Sequence, residues 1–210
     1  MKVSASFLSI KDNIKSNINV LDKSTIDYLH LDIMDGNFVQ NKTFNIDEIR
    51  DLLSDTTKPK DVHLMVNNIK KYIDDFSILN PEYITFHFEA TYDSEEIIEY
   101  IKSKNIKVGI SIKPNTSIES IISFLPLIDL VLIMSVEPGM GGQTFIEEVV
   151  SKIDTLKELR EDNKDYNYVI EVDGGINDET IKLCSNADII VVGSFITDSN
   201  NYQEQIDKLK

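Results

Sequence analysis

"YLHLDIMDG" (residues 28–36) puts charged and imidazole side chains in a stretch that otherwise reads as a buried β-strand. With a period of two, His30, Asp32 and Met34 share one face, and Leu31 and Ile33 take the other. The Leu/Ile face suits packing against helices. The opposite face holds a carboxylate, and burying one costs several kcal/mol unless a cation or hydrogen-bond donors meet it. "VIEVDGGIND" (169–178) poses the same problem. Glu171 and Asp173 share a face, and Asp173 ends the run just before a Gly-Gly pair.

Six further runs of the same kind flank these two: 3–8, 61–66, 83–89, 107–112, 130–136 and 188–194, with the quoted pair covering 28–34 and 168–174. Between them lie charged stretches with helical spacing. "SEEIIEYIKSKN" (94–105) has apolar residues at 97, 98 and 101, and "FIEEVVSKIDTLKELRED" (145–162) has them at 146, 149, 150, 153, 156 and 159. Strands alternating with helices predict a parallel sheet with helices outside. Eight such units predict a closed (β/α)8 barrel of the TIM type, a single catalytic domain over residues 1–210. An open doubly wound sheet is the competing architecture. It would carry G-x-G-x-x-G after the first strand, and that motif is absent there.

Composition narrows the function. Hydrophobic residues make up 41% of the 210, which is enough for a core and excludes a disordered chain. A net charge of −15 argues against nucleic acid and against anionic membranes as partners. A small anionic substrate stays open, because backbone N–H groups can hold a phosphate in an acidic protein. The only arginines, Arg50 and Arg160, fall in stretches that read as solvated helix, so glycine-loop amides would have to do most of the holding. A single cysteine, Cys184, forms no internal disulfide and suits a reducing cytoplasm. The first residues lack the apolar run of a signal peptide, and no stretch is long and apolar enough to predict a membrane span.

Active sites of such barrels lie at the C-terminal ends of the strands. "DVHLMV" (61–66) places His63 and Met65 on one face, and "FHFE" (86–89) places His87 and Glu89 together. A lone strand histidine is more often a hydrogen-bonded core residue than a ligand. Two histidines and two aspartates converging on one mouth, His30, Asp32, His63 and Asp173, instead suit a divalent cation: zinc, iron, manganese or cobalt. His87 stays closer to that core reading, with orienting a ligand as the alternative. Met34, Met65 and Met134 would ordinarily be core filler; pointing inward, they would line a pocket with soft, uncharged surface. Glycine-bearing loops follow the last three strands: "EPGMGGQTF" (137–145), "DGGI" (173–176) and "GSF" (193–195).

The motifs "YLHLDIMDGNFVQN", "DVHLMV", "FHFEA", "VGISIKPNT", "VLIMSVEPGMGGQTF", "EVDGGI" and "GS", in this order, resemble the ribulose-phosphate 3-epimerase family across almost the whole chain. The resemblance implies a (β/α)8 barrel and an isomerase of carbohydrate metabolism. That enzyme interconverts D-ribulose 5-phosphate and D-xylulose 5-phosphate by two-aspartate proton transfer at C3, through a metal-stabilised enediolate. It implies one divalent metal on His30, Asp32, His63 and Asp173, with Asp32 and Asp173 as the acid–base pair. The implied substrate contacts are Ser6, Met34, His63, Met65, Met134, Gly139, Met140, Gly141, Gly142, Gly174, Gly175, Gly193 and Ser194. A cytoplasmic homo-oligomer acting on a small sugar phosphate is expected.

Four places depart from the family's pattern. Ser4-Ala5-Ser6 replaces Ser-Pro-Ser, Gln40 replaces a proline, Met140 replaces an aromatic residue, and "GSFIT" replaces a Gly-Ser-Ala tail. They bear on loop rigidity and substrate choice. One alternative is an epimerase of another ketose phosphate such as D-allulose 6-phosphate. Another is a non-catalytic sugar-phosphate or metal-binding barrel. Decarboxylase and hexulose-phosphate synthase relatives would place a lysine near the aspartates, and neither "HLDIMDG" nor "EVDGG" contains one.

Overall fold

A computed structural model of residues 1–210 shows eight parallel strands in a closed barrel, each hydrogen-bonded to its sequence neighbours and the last to the first. The strands are β1 (Lys2–Ser6), β2 (Tyr28–Met34), β3 (Lys60–Met65), β4 (Tyr83–His87), β5 (Lys107–Ile112), β6 (Leu130–Met134), β7 (Val169–Asp173) and β8 (Ile189–Val192). Each coincides with an expected run, its ends shifted by no more than two residues; β1 and β3 begin one residue earlier than expected. Helices α1 (Ile14–Lys23), α2 (Ile46–Leu52), α3 (Ile69–Ser77), α4 (Ser94–Ser103) and α5 (Val150–Asp162) cover the outside, followed by short α6 (Ser194–Thr197) and α7 (Tyr202–Asp207).

Two connections differ from the expectation of a helix after every strand. Between β5 and β6 the chain makes only 3-10 turns, Ile118–Ser120 and Ile122–Leu127, and between β7 and β8 only Thr180–Cys184. Pro126 lies inside the second turn, where it has no N–H to give to an α-helical ladder. In the last connection the Asn177 side chain accepts from the N–H groups of Glu179 and Thr180, which fixes a tight turn.

Strand alternation divides the molecule into two apolar regions. Outward residues such as Leu31, Ile33, Leu64 and Phe86 pack with Ile18, Leu21, Ile73 and Phe76 of the helices in a cluster of 48 buried residues. Inside the barrel a smaller cluster of seven includes Tyr28, Tyr83, Leu132 and Met134. Tyr28 and Tyr83 meet edge to face with centroids 6.0 Å apart and fill the N-terminal end. The outer core thus carries most of the burial, and the C-terminal half of the interior is shared between polar residues and methionines.

Register then places those residues together. Asp32 pairs with His63, His30 with Asp61, Met34 with Met65, and Met134 with Asp173. Inside the barrel β5 contributes a glycine. A Cβ on Gly109 would lie 2.2 Å from the Thr85 hydroxyl and 3.0 Å from Leu130 Cδ2, both fully buried. Gly109→Ala is therefore expected to cost about 1–3 kcal/mol of stability, seen as a lower urea midpoint. A change under about 0.5 kcal/mol would show that this part of the interior is not close-packed.

Candidate active site

The C-terminal ends of the strands surround a cleft of about 440 Å³. His30, Asp32, His63 and Asp173 each bring a ligand atom within 4.8 Å of the others beneath it. His30 Nε2 and His63 Nδ1 both lie 3.5 Å from Asp32 Oδ1, and His63 Nδ1 lies 3.7 Å from Asp173 Oδ2. Both nitrogens are buried without a hydrogen-bond partner. A tetrahedral edge for bonds of about 2.1 Å is about 3.4 Å, so the spacing and the orphaned lone pairs both fit a divalent cation.

Neighbours fix which nitrogen of His30 faces the cluster. Its Nδ1 is 2.7 Å from Asp61 Oδ2, which also accepts from the Ser4 hydroxyl at 2.8 Å. Nδ1–H donates to that carboxylate, which leaves Nε2 as the nitrogen turned toward Asp32. Ser6 donates to Asp32 Oδ2 at 2.7 Å, which leaves Oδ1 as the oxygen nearest the two imidazoles. The role of Asp61 escaped the sequence reading. Its signal was present, since Asp61 stands two residues before His63 and so on the same strand face.

The electrostatics are those of buried carboxylates and imidazoles packed against one another. Burial pushes Asp32 up, but His30 and His63 outweigh it and hold its carboxyl well below the usual range. Burial, with Asp32 beside it, pushes Asp173 up to about 6. Burial disfavours charge on His30, yet Asp61 and Asp32 raise it well above an ordinary histidine. Glu171, one pleat deeper, is fully buried with neither oxygen partnered; burial first and Asp61 second push it well above an ordinary glutamate.

Most of the expected substrate contacts line the cleft. Ser6, Met34, Met65 and Met134 form its wall beside the two aspartates, and Gly139, Met140, Gly141 and Gly142 lie along its rim. Gly174, Gly175, Gly193 and Ser194 line the side below β7 and β8. His63 does not reach it; its side chain is fully buried beneath the aspartates. The rim loop is held by Gln143, whose Nε2 donates to the carbonyls of Glu137 and Met140, and by Asn41, which donates to the Gly139 carbonyl at 2.7 Å. Met140 is 62% exposed at its tip.

Gly174 and Gly175 have φ of 122° and 64°, and a Cβ there would lie 2.4 Å from Val136 Cγ2 and 2.5 Å from the Phe145 amide. Only glycine fits. None of the backbone hydrogen bonds has Gly174, Gly175 or Gly193 as donor. No lysine or arginine lines the cleft. Arg160 is not solvated as its sequence context suggested. Its side chain is 18% exposed and donates to the Tyr168 carbonyl and Asp188, tying α5 to the N-terminal ends of β7 and β8. That is the end opposite the cleft.

Residues 2–197 match the model of the "Ribulose-phosphate 3 epimerase family". The chain belongs to that family. It is 38% identical over 198 residues to the ribulose-phosphate 3-epimerase of Treponema pallidum, covering 90% of each chain. To the Helicobacter pylori enzyme of that name it is 38% identical over 212 residues, covering 99% of this chain and 94% of the other. Both relatives carry the name of an isomerase, and this epimerase family is an enzyme family of that class. Solved structures share the fold at much lower identity. A 3-hexulose-6-phosphate synthase superposes with a TM-score of 0.71 at 13% identity, covering 100% of this chain and 98% of that one. The α-subunit of tryptophan synthase from Campylobacter jejuni does so at 0.68 and 18%, covering 100% and 95%. No helix is long and apolar enough to cross a membrane.

Glu171 yields a stability prediction. An acid whose folded pKa is raised contributes its stability below the unfolded value, near 4.3, and loses it as pH rises toward the folded one. Glu171→Gln keeps the shape of the neutral acid and removes that loss. In chelator-treated protein, the urea midpoint of the variant should therefore gain on wild type between pH 5 and pH 8. Parallel curves would place the charge burden on another group.

Proposed function

We propose that the chain interconverts D-ribulose 5-phosphate and D-xylulose 5-phosphate by proton exchange at C3. The observation carrying this reading is the pair Asp32 and Asp173, brought from β2 and β7 to one cleft within reach of two unpartnered imidazole nitrogens. Family membership and two relatives bearing the epimerase name support it.

Inverting C3 of a 2-ketose requires a proton to leave one face and another to arrive on the opposite face. One carboxylate takes the C3 proton, leaving an enediolate. The other carboxyl delivers its proton to the opposite face, and the two have exchanged roles when the product leaves. General acid–base catalysis of this kind contributes about 10²–10⁴-fold. His30, Asp32, His63 and Asp173 would hold the divalent cation, whose contribution when bound is Lewis-acid stabilisation of charge on the substrate oxygens. The hydroxyl of Ser6 keeps Asp32 aimed. Met34, Met65 and Met134 are at most 2% exposed and keep water from the reacting carbon. The phosphate would lie against the amides of Gly174, Gly175, Gly193 and Ser194. We place the reaction in the cytoplasm, where the unpaired Cys184 stays reduced.

A coupled assay comparing ribulose 5-phosphate with allulose 6-phosphate tests the substrate. The pentulose should be turned over with the higher kcat/KM; the opposite ranking would reassign the enzyme to hexulose phosphates. In the same assay Asp173→Asn should cut kcat at least a thousandfold with the circular dichroism spectrum unchanged. Turnover within tenfold of wild type would remove Asp173 from the chemistry.

Gly193 tests the phosphate end. A Cβ there meets nothing closer than Ser6 Cβ at 3.7 Å, so a side chain fits the fold and intrudes on the cleft. Gly193→Val should raise KM for the phosphorylated ketose at least about tenfold, or about 1.4 kcal/mol, with metal content unchanged. An unchanged KM would put the phosphate elsewhere.

A further inference from the structure

We infer that Glu89 is a positioning residue that sets, through His87, which nitrogen of His63 is free to bind the metal. The inference rests on the metal centre proposed above.

The three side chains form one hydrogen-bonded line. His63 Nε2 lies 2.9 Å from His87 Nε2, and His87 Nδ1 lies 3.2 Å from Glu89 Oε2. Both imidazoles are fully buried. The other Glu89 oxygen, Oε1, accepts from the Lys113 N–H at 2.8 Å and from the Thr116 hydroxyl. Phe38 covers the outer side of His87, with ring centroids 4.8 Å apart. Burial disfavours charge on Glu89, but His87, Thr116 and the Lys113 amide outweigh it and hold the carboxyl at about 2. Glu89 is a carboxylate, an acceptor only.

Proton placement follows from counting donors and acceptors. A carboxylate at His87 Nδ1 requires the proton on that nitrogen. A neutral His87 then has a bare Nε2, and a nitrogen 2.9 Å from it must carry a proton. His63 is thereby held as the Nε2–H tautomer. Its Nδ1 lone pair faces Asp32 and Asp173, 3.5 and 3.7 Å away. Without this line His63 could equally place its proton on Nδ1, where it would occupy the metal position. His30 receives the corresponding instruction from Asp61, on its other nitrogen.

Glu89→Gln inverts the instruction with almost no change of shape. The amide oxygen must take the Oε1 position, because the Lys113 N–H and the Thr116 hydroxyl donate there. The amide NH2 then faces His87 Nδ1 and donates to it. The His87 proton moves to Nε2, and the His63 proton is driven to Nδ1.

The test uses 15N-histidine-labelled protein, with and without zinc, and competition for zinc against a chelator. Ring 15N shifts of wild type should show His63 protonated at Nε2 and His87 at Nδ1. In Glu89→Gln the His87 proton should appear at Nε2, and zinc affinity should fall about 10–100-fold. Thr116→Val loosens the same segment without turning position 89 into a donor, so it should hold zinc within about threefold of wild type. A wild-type His87 protonated at Nε2, or equal zinc affinity in wild type and Glu89→Gln, overturns the inference. Equal losses in both variants would reduce Glu89 to a packing role and overturn it as well. A wild type that takes up no zinc overturns the metal centre instead, and the His87 tautomer read in metal-free protein still decides the relay.

Discussion

Two carboxylates and two imidazole lone pairs share one buried space at the barrel mouth, and the rest of the site is arranged around that juxtaposition. In isolation the arrangement is unfavourable. Asp173 responds by rising to about 6, and His30 by holding a proton more tightly. A divalent cation held there would reverse both tendencies, since carboxylate oxygens and bare imidazole nitrogens are the donors such ions take. Asp61 and Ser6 do not neutralise the cluster. They orient it, each meeting one atom of a ligand residue and leaving the other atom to face inward.

The barrel can tolerate this because its stability is built elsewhere. Alternation sends Leu31, Ile33, Leu64 and Phe86 outward into a continuous apolar layer with the helices. Each strand's other face is then free to be polar near its C-terminal end. The same division explains why fold alone says little about chemistry. A hexulose-phosphate synthase and a tryptophan synthase subunit superpose over nearly the full chain at 13% and 18% identity. Those likenesses show the shared fold and nothing of the site. The family match, by contrast, includes the inward residues and the loops that follow them.

The strands were legible because each couples a short apolar run with period-two placement of polar residues, and β2 and β7 show it most plainly. The missing helices after β5 and β7 were not. Ile118, Ile121 and Leu125 are buried and spaced much as on a helix, yet Pro126 and the short span leave 3-10 turns. At the site, the inward aspartates and histidines followed from alternation alone. The partnership of Asp61 with His30 did not, because it depends on cross-strand register, which no single strand encodes. The line from Glu89 to His63 was hidden for the same reason. It joins β3, β4 and the loop after β5, and only the closed barrel brings them into contact.

On the function proposed above, this acidic protein would hold a phosphorylated substrate with dipoles rather than net charge. Neither arginine can help: Arg160 is bound to Asp188 at the far end, and Arg50 is 61% exposed on α2. The glycines after β7 supply a different resource. Positive φ at Gly174 and Gly175 turns the chain sharply beside Val136 and Phe145, and their N–H groups have no backbone acceptor. Amides fixed by such a turn need no reorganisation to meet an anion, and close approach compensates for their partial charge. The net charge of −15 is spread over the loops and turns (−8), the α-helices (−6) and the strands (−1), and counter-ions screen its exposed part beyond about 8–10 Å. The long-range repulsion is therefore weak, and the amides act at contact distance, where screening is least. That difference in range would let one chain be strongly acidic outside and receptive to the proposed phosphate at its mouth.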